Sequence, residues 1–298
     1  MTYNAPLMTN PTAVDQTFAA TLLDGRVRFL ARGATCTVFT NGARVVRLSD
    51  PDPAKAARFR VDAQVRRKLH DLGVPTPLTE DMGVLPDGRA YSIEALIRGD
   101  DLPPTPEGVR QLSRAIKALH TLECCGFGLL EDRADSLCGS GRTPAEGVLS
   151  RLHQPWPFAE GPLAAQPLVW AAPDLQQALA ALEDELLSLA ELPTCVCHTD
   201  LHLNQWLWRR GELAALLDFG DASVGPVAWD WASLAYFHGW PQATELAGAP
   251  LGREVALFGL LLAFHRASRA ARDNRPQRTD EAAAFARSCL ERLEDSPC

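Results

Sequence analysis

His198-Thr199-Asp200-Leu201-His202-Leu203-Asn204-Gln205-Trp206-Leu207-Trp208 and, after a turn at Arg210-Gly211, Leu213-Ala214-Ala215-Leu216-Leu217-Asp218-Phe219-Gly220-Asp221 carry most of the architectural information in this 298-residue chain. Trp206–Trp208 and Ala214–Leu217 are short apolar runs on either side of the turn and read as strands. Each lies next to a carboxylate, Asp200 in the loop ahead of the first and Asp218 directly after the second. Gln205 follows Asp200 by five residues and offers an amide oxygen, and a third acid, Asp230, closes the run Gly225–Trp231.

Phosphoryl transfer needs groups of this kind. One carboxylate positions the attacking hydroxyl and accepts its proton, while another carboxylate and an amide oxygen hold Mg2+ against the triphosphate. His198-x-Asp200-Leu201-His202 and Asp218-Phe219-Gly220-Asp221 resemble the catalytic and metal-binding motifs of the aminoglycoside phosphotransferases. Relatives with that kinase-like fold include choline, homoserine, macrolide and maltose kinases. Gly225–Trp231 is similar to the G-D-P-A-x-D-L segment of the same family. The resemblance spans about residues 26–240 and implies an α+β, two-lobed protein-kinase-like fold. Residues 1–97 would form a small antiparallel-sheet lobe and residues 98–298 a larger, mostly helical one. The implied reaction moves the γ-phosphate of ATP, with Mg2+, to a hydroxyl of a small molecule such as an aminoglycoside-like antibiotic, a sugar or an amino alcohol.

The same resemblance assigns roles. Asp200 would be the catalytic base and Asp218 the main Mg2+ ligand, with His198 and Asp230 as structural braces of the catalytic loop. The family usually has Asn where this chain has Gln205; Gln carries the same donor oxygen on a longer stem and is expected to ligate, with Asn204 or water as the alternative. Arg47, on the strand Ala43–Leu48, takes the position of the phosphate-fixing lysine, and Asp62, on the following helix, takes that of its glutamate partner. A longer cation with a shorter anion keeps the reach, so the two are expected to pair; the alternative is an exposed strand arginine and a solvated helix acid. Gly33, Ala34 and Thr35 fit the turn that covers the phosphates with backbone N–H groups. In the strand Tyr91–Leu96 the backbones of Glu94 and Leu96 would meet adenine and Ile93 would line its pocket. Asp221 would face the substrate; His202 would either contact it or pack the loop.

Around these motifs the pattern divides in two. Up to Gly99 it reads as strands and one helix, with a hairpin signal at Asn41-Gly42, a helix after Pro51 and Pro53 with Val61, Val65, Leu69 and Leu72 on one face, and another turn at Pro86-Asp87-Gly88. Beyond it, helical spacing dominates: Val109, Leu112, Ile116 and Leu119 follow Thr105-Pro106, and Leu175, Leu179, Leu182, Leu186 and Leu189 predict one long helix. Gly126–Pro173 reads as loop, and no class of acceptor can be read from it.

Composition excludes several functions. A net charge of −8 disfavours nucleic acid as a partner and is compatible with a cationic acceptor. No apolar run reaches the length of a membrane span, and the amino-terminal residues lack a secretion-signal pattern, so a cytoplasmic location is expected. None of the eight cysteines has C-x-x-C spacing; Cys195 and Cys197, two apart in an apolar run, are expected on one face of a strand as reduced core residues. Two other functions remain open at this level, a catalytically silent kinase-like binding protein and nucleotidyl transfer on the same fold.

Overall fold

The computed structural model describes residues 11–33, 35–152, 157–158 and 163–295. In chain order the elements are α1 (Ala13–Leu22), β1 (Arg28–Arg32), β2 (Cys36–Thr40), β3 (Arg44–Ser49), α2 (Pro53–Asp71), β4 (Thr79–Val84), β5 (Ala90–Ala95), α3 (Pro106–Leu119), β6 (Cys124–Cys125), β7 (Phe127–Leu130), β8 (Leu137–Gly141) and α4 (Pro144–Leu152). They continue with α5 (Pro167–Ala171), α6 (Gln176–Ala180), α7 (Glu183–Ser188), β9 (Thr194–Cys197), β10 (Trp206–Arg209), β11 (Glu212–Leu216), β12 (Ser223–Pro226), α8 (Ala228–His238), α9 (Trp240–Ala247), α10 (Arg253–Arg272) and α11 (Pro276–Asp295). Two compact units result: Met1–Thr105 with Trp206–Gly220, and Pro106–Gln205 with Asp221–Cys298. The hairpin β10–β11, which a division after residue 97 assigns to the second part, groups with the first unit.

The first unit is an antiparallel five-stranded sheet in the order β1-β2-β3-β5-β4. Alternation along the strands sorts its side chains onto two faces. Phe39, Val46, Leu48 and Ile93 pack with Ala19 and Leu23 at the amino-terminal helix, one core cluster on one face. Helix α1 is absent from the sequence reading; it starts in a capping box in which Thr12 Oγ1 accepts the Asp15 N–H and the Asp15 carboxylate accepts the Thr12 N–H. Arg47, Ser92 and Glu94 occupy the other face, where α2 lies. Asp52 caps α2, and Val61, Val65 and Leu69 are buried along it. Leu72 leaves the expected apolar face: it is the residue after the helix end and is exposed.

The second unit is mostly helical around a small sheet ordered β6-β8-β7-β12-β9. Here Gly126–Pro173 departs from the expected loop, since two strands, β7 and β8, and two helices, α4 and α5, fall inside it. Its glycines serve packing rather than flexibility. A Cβ on Gly139 would stand 2.3 Å from the Phe127 backbone, and one on Gly147 2.3 Å from the Phe127 side chain. The strands carry too few side chains to show a period. A disulfide joins Cys125 and Cys138 on the paired strands β6 and β8. The long helix expected over Leu175–Leu189 is two short helices, α6 and α7, yet Leu175, Leu179, Leu186 and Leu189 all remain buried. Among the described residues no helix is long and apolar enough to cross a membrane.

Candidate functional site

In the first unit, β3, β5 and α2 bring four charged side chains together. The Arg47 guanidinium reaches Asp62 through Nη2, and its Nε donates to Ser92 Oγ at 3.0 Å and lies 3.5 Å from Glu94. Arg66, one turn beyond Asp62 on α2, donates to the same Asp62 oxygen at 2.7 Å, pairs with Glu94, and donates to the Pro77 carbonyl at 2.6 Å. Two cations and two anions cancel, which is how this face tolerates charge with Asp62 and Arg66 each 1% exposed. Burial alone would raise the Asp62 carboxyl, but Arg47 and then Arg66 outweigh it and hold it at about 2. The expected Arg47–Asp62 pair is thus present. Arg66 is a partner that the sequence reading missed, although its i+4 spacing from Asp62 signals it.

Asp62 also fixes the loop after β11: its second oxygen accepts the Phe219 N–H at 2.9 Å. The preceding residue, Asp218, sits in the left-handed region at φ 60° with its side chain exposed. Phe219 is fully buried, so the loop is pinned there, and Asp218 beside it is exposed. A non-glycine residue in this conformation costs energy that the surrounding contacts must hold.

The three strand residues expected to meet the nucleotide have these surroundings. The Leu96 N–H is already donated to the Ala43 carbonyl at 2.8 Å. Glu94 stands inside the sheet, opposite Val45 on one side and Thr79 on the other, and contributes a carboxylate to Arg66 rather than an edge backbone. Ile93 points to the opposite face and packs in the core cluster with Ala19 and Leu23. At the expected phosphate turn, the Gly33 N–H closes the turn onto the Cys36 carbonyl at 2.9 Å, and the Thr35 carbonyl accepts the Asp50 N–H. Arg32 braces the turn by donating to Thr37 Oγ1 and Asp50. Ala34 lies outside the described residues.

In the second unit, β9 delivers the chain directly into His198-Thr199-Asp200. Asp230, fully buried on α8, gathers this loop: its oxygens accept the His198 N–H at 3.0 Å and the Thr199 N–H at 2.7 Å, and face His120 Nε2 at 2.9 Å. Burial would raise the Asp230 carboxyl, but His120 and these amides hold it below its usual range. Thr199 is left-handed at φ 67°, its hydroxyl donating to the Asp221 carbonyl at 3.0 Å, and Ser233 Oγ accepts the Leu201 N–H at 3.1 Å. The half-buried Asp200 that follows receives Arg266, from α10, on Oδ1 at 2.9 Å. Arg266 rests over the rings of Tyr236 and Phe237, at 5.4 and 4.8 Å. Neither Arg266 nor His120 has a sequence signal near the motif; they arrive from helices far along the chain.

His202 settles the orientation of Gln205. Burial pushes this imidazole below its ordinary value, so the neutral ring has one donor and one acceptor nitrogen. Nδ1 accepts the Asn204 N–H at 3.2 Å, which leaves the proton on Nε2. The Gln205 amide stands 3.0 Å from Nε2, and only its oxygen can accept there, so Oε1 rather than the nitrogen faces the ring. Gln205 is buried and Asn204 exposed.

The donors present suit a magnesium triphosphate. In the first unit, with Nε and Nη2 of Arg47 committed, Nη1 would meet phosphate, and Asp218 is a hard oxygen donor of the kind Mg2+ takes; in the second unit, the Gln205 amide oxygen is a donor of the same kind.

A family model described as the phosphotransferase enzyme family matches residues 26–260. No curated protein matches the chain by sequence. Among solved structures, a thermostable mutant of aminoglycoside phosphotransferase APH(4)-Ia in its apo form is 19% identical, covering 94% of this chain and 100% of that one, at a TM-score of 0.69. A thermostable mutant of the same enzyme in ternary complex with ADP and hygromycin B matches at 19% identity, 95% and 99% coverage and a TM-score of 0.69. The GDP complex of wild-type aminoglycoside 2'-phosphotransferase-IIIa matches at 16% identity, 93% and 97% coverage and 0.63. At these identities the likeness shows the fold, the kinase-like one.

Proposed function

The chain belongs to the phosphotransferase enzyme family, and from that premise we propose that it transfers the γ-phosphoryl group of ATP to a hydroxyl of a small molecule, with Asp200 as the base. The observation that carries this reading is the way Asp230 holds the backbone just ahead of Asp200. Two buried amides and a left-handed Thr199 fix the loop, which is the preorganisation a proton acceptor needs. Arg266 donates to Oδ1 of Asp200 and His202 Nε2 lies 3.8 Å from Oδ2; the carboxylate they flank is assigned the acceptor's proton. As that proton leaves, the hydroxyl oxygen attacks the γ-phosphorus and ADP departs.

Asp218 and Gln205 are the proposed magnesium ligands, and Arg47 the proposed phosphate contact, held by Asp62. The ion, when bound, would neutralise charge on the triphosphate. His198 and Asp230 support the loop, and Asp221 is assigned to the acceptor. The acidic chain suits a cationic acceptor such as an aminoglycoside or an amino alcohol. An ATP donor fits the cytoplasm.

The test is a panel of aminoglycosides, sugars and amino alcohols incubated with Mg-ATP, reading ADP release and the mass of the product. Phosphate added to one acceptor supports the proposal. A product carrying AMP, or no turnover on any hydroxyl with Mg-ATP bound, overturns it.

Two variants address the metal. Asp218→Ala should weaken magnesium-dependent nucleotide binding at least tenfold and remove turnover; calorimetry with and without Mg2+ reads this, and unchanged Mg-ATP affinity would place the ion elsewhere. Gln205→Ala should slow turnover on the order of 10²–10³-fold and raise the magnesium requirement, as for loss of one preorganised electrostatic contact. Asn204→Ala should do much less, and Gln205→Asn should retain substantial activity. A magnesium titration of the three compares them, and a damaging Asn204→Ala would shift the assignment by one residue.

A further inference from the structure

Phosphoryl transfer makes no use of the two thiols at the end of β9. Cys195 and Cys197 project from one face of that strand with their Sγ atoms 3.7 Å apart, and a ring nitrogen of His120 joins them so that all three atoms lie within 4.8 Å of one another. Thiolates bound at ~2.3 Å to one tetrahedral zinc ion stand about 3.8 Å apart, so the sulfurs already have the separation that such an ion imposes. Behind the imidazole, Asp230 faces His120 Nε2 at 2.9 Å. A carboxylate that holds a histidine ring fixes its orientation and tautomer, the usual support of a metal-bound histidine. Cys195 and His120 are only partly buried, whereas Cys197 is buried.

We propose that His120, Cys195 and Cys197 form a binding site for a thiophilic divalent ion of the zinc class, and that its filling stiffens the catalytic loop. The ligands do not have the spacing by which zinc sites are read from sequence: two come from a C-x-C strand and the third from the chain just past α3. Binding releases the thiol protons, including the Cys197 S–H that now points to the Gly225 and Pro226 carbonyls at 3.5 and 3.4 Å. The coupling to the loop is short. Cys197 is bonded to His198, and Asp230 holds His120 together with the His198 and Thr199 amides. An ion that orders these ligands in the native state alone raises native stability by mass action.

The experiment uses the full chain in a background with Cys125 and Cys138 changed to serine, so that the disulfide's sulfurs cannot contribute. Metal-free protein, kept reduced with a phosphine, is titrated with Co2+ and then with Zn2+. One equivalent of Co2+ should give thiolate-to-cobalt charge-transfer and tetrahedral d–d bands that Zn2+ bleaches, and the ion should raise the melting temperature. Cys195→Ser and His120→Gln should each weaken binding at least about tenfold, in line with the sensitivity of metal sites to their surroundings. Cys36→Ser and Cys289→Ser should leave it unchanged. No tetrahedral spectrum, or a spectrum that persists in a Cys195→Ser protein with native circular dichroism, overturns the proposal. The readout does not depend on turnover, so a failed acceptor panel leaves it intact and testable.

Discussion

Asp200→Asn should lose turnover by about 10⁴-fold while Mg-ATP affinity stays within a few-fold of the parent, the upper range for removal of a general base. Asparagine keeps an oxygen for Arg266 and nearly the same shape, so the loop held by Asp230 should survive. What it cannot do is take a proton. Asp200→Ala should be as inactive but less stable, because Arg266 then rests on Tyr236 and Phe237 with its carboxylate partner gone. Single-turnover kinetics together with nucleotide binding separate the two contributions. Turnover within tenfold of the parent in either variant would remove Asp200 from the chemistry.

Asp62→Asn should destabilise the protein by about 3–5 kcal/mol, because it breaks a buried pair and leaves Arg47 and Arg66 sharing only Glu94. Against a typical total of roughly 5–15 kcal/mol this is a large fraction. The effect has a definite pH course. The folded carboxyl, at about 2, lies below its ordinary value of 3.8, so the stability it contributes is fully present above the latter. That contribution is lost as pH falls through about 2, the folded value. Urea unfolding of parent and variant should therefore show a constant gap from neutral pH down to about 4 that narrows as pH approaches 2. A gap under about 1 kcal/mol at neutral pH would mean that the Phe219 N–H and the packing of α2, rather than the charge, hold this face.

The sequence made the antiparallel sheet and the α2 helix legible because each depends on local spacing, turn residues and an apolar stripe; the Arg47–Asp62 pair was legible only through the resemblance to the kinase lysine and glutamate positions. What it hid depends on partners far along the chain. Arg266 reaches Asp200 from α10, and His120 reaches Asp230 from the end of α3. The sheet contacts of Glu94 and Leu96 were hidden for another reason. Strand register, which decides whether an N–H is spent inside a sheet, is set by neighbouring strands and not by the strand's own residues. Gly126–Pro173 misled because strands rich in glycine show no alternation.

The division of the chain has a consequence for how it is made. The first unit takes its hairpin and the Phe219–Asp62 bond from a segment that follows Gln205, while its sheet is encoded before Thr105. A ribosome adding about 5–20 residues per second needs on the order of ten seconds to cover that interval. Throughout it, Asp62 and Arg66 wait on α2 beside a five-stranded sheet already encoded, before the hairpin and the Phe219 N–H have been synthesised. Completion of the amino-terminal unit is thus set by translation of the second half of the message, and slow codons between Thr105 and Trp206 would lengthen its exposure to proteases and chaperones.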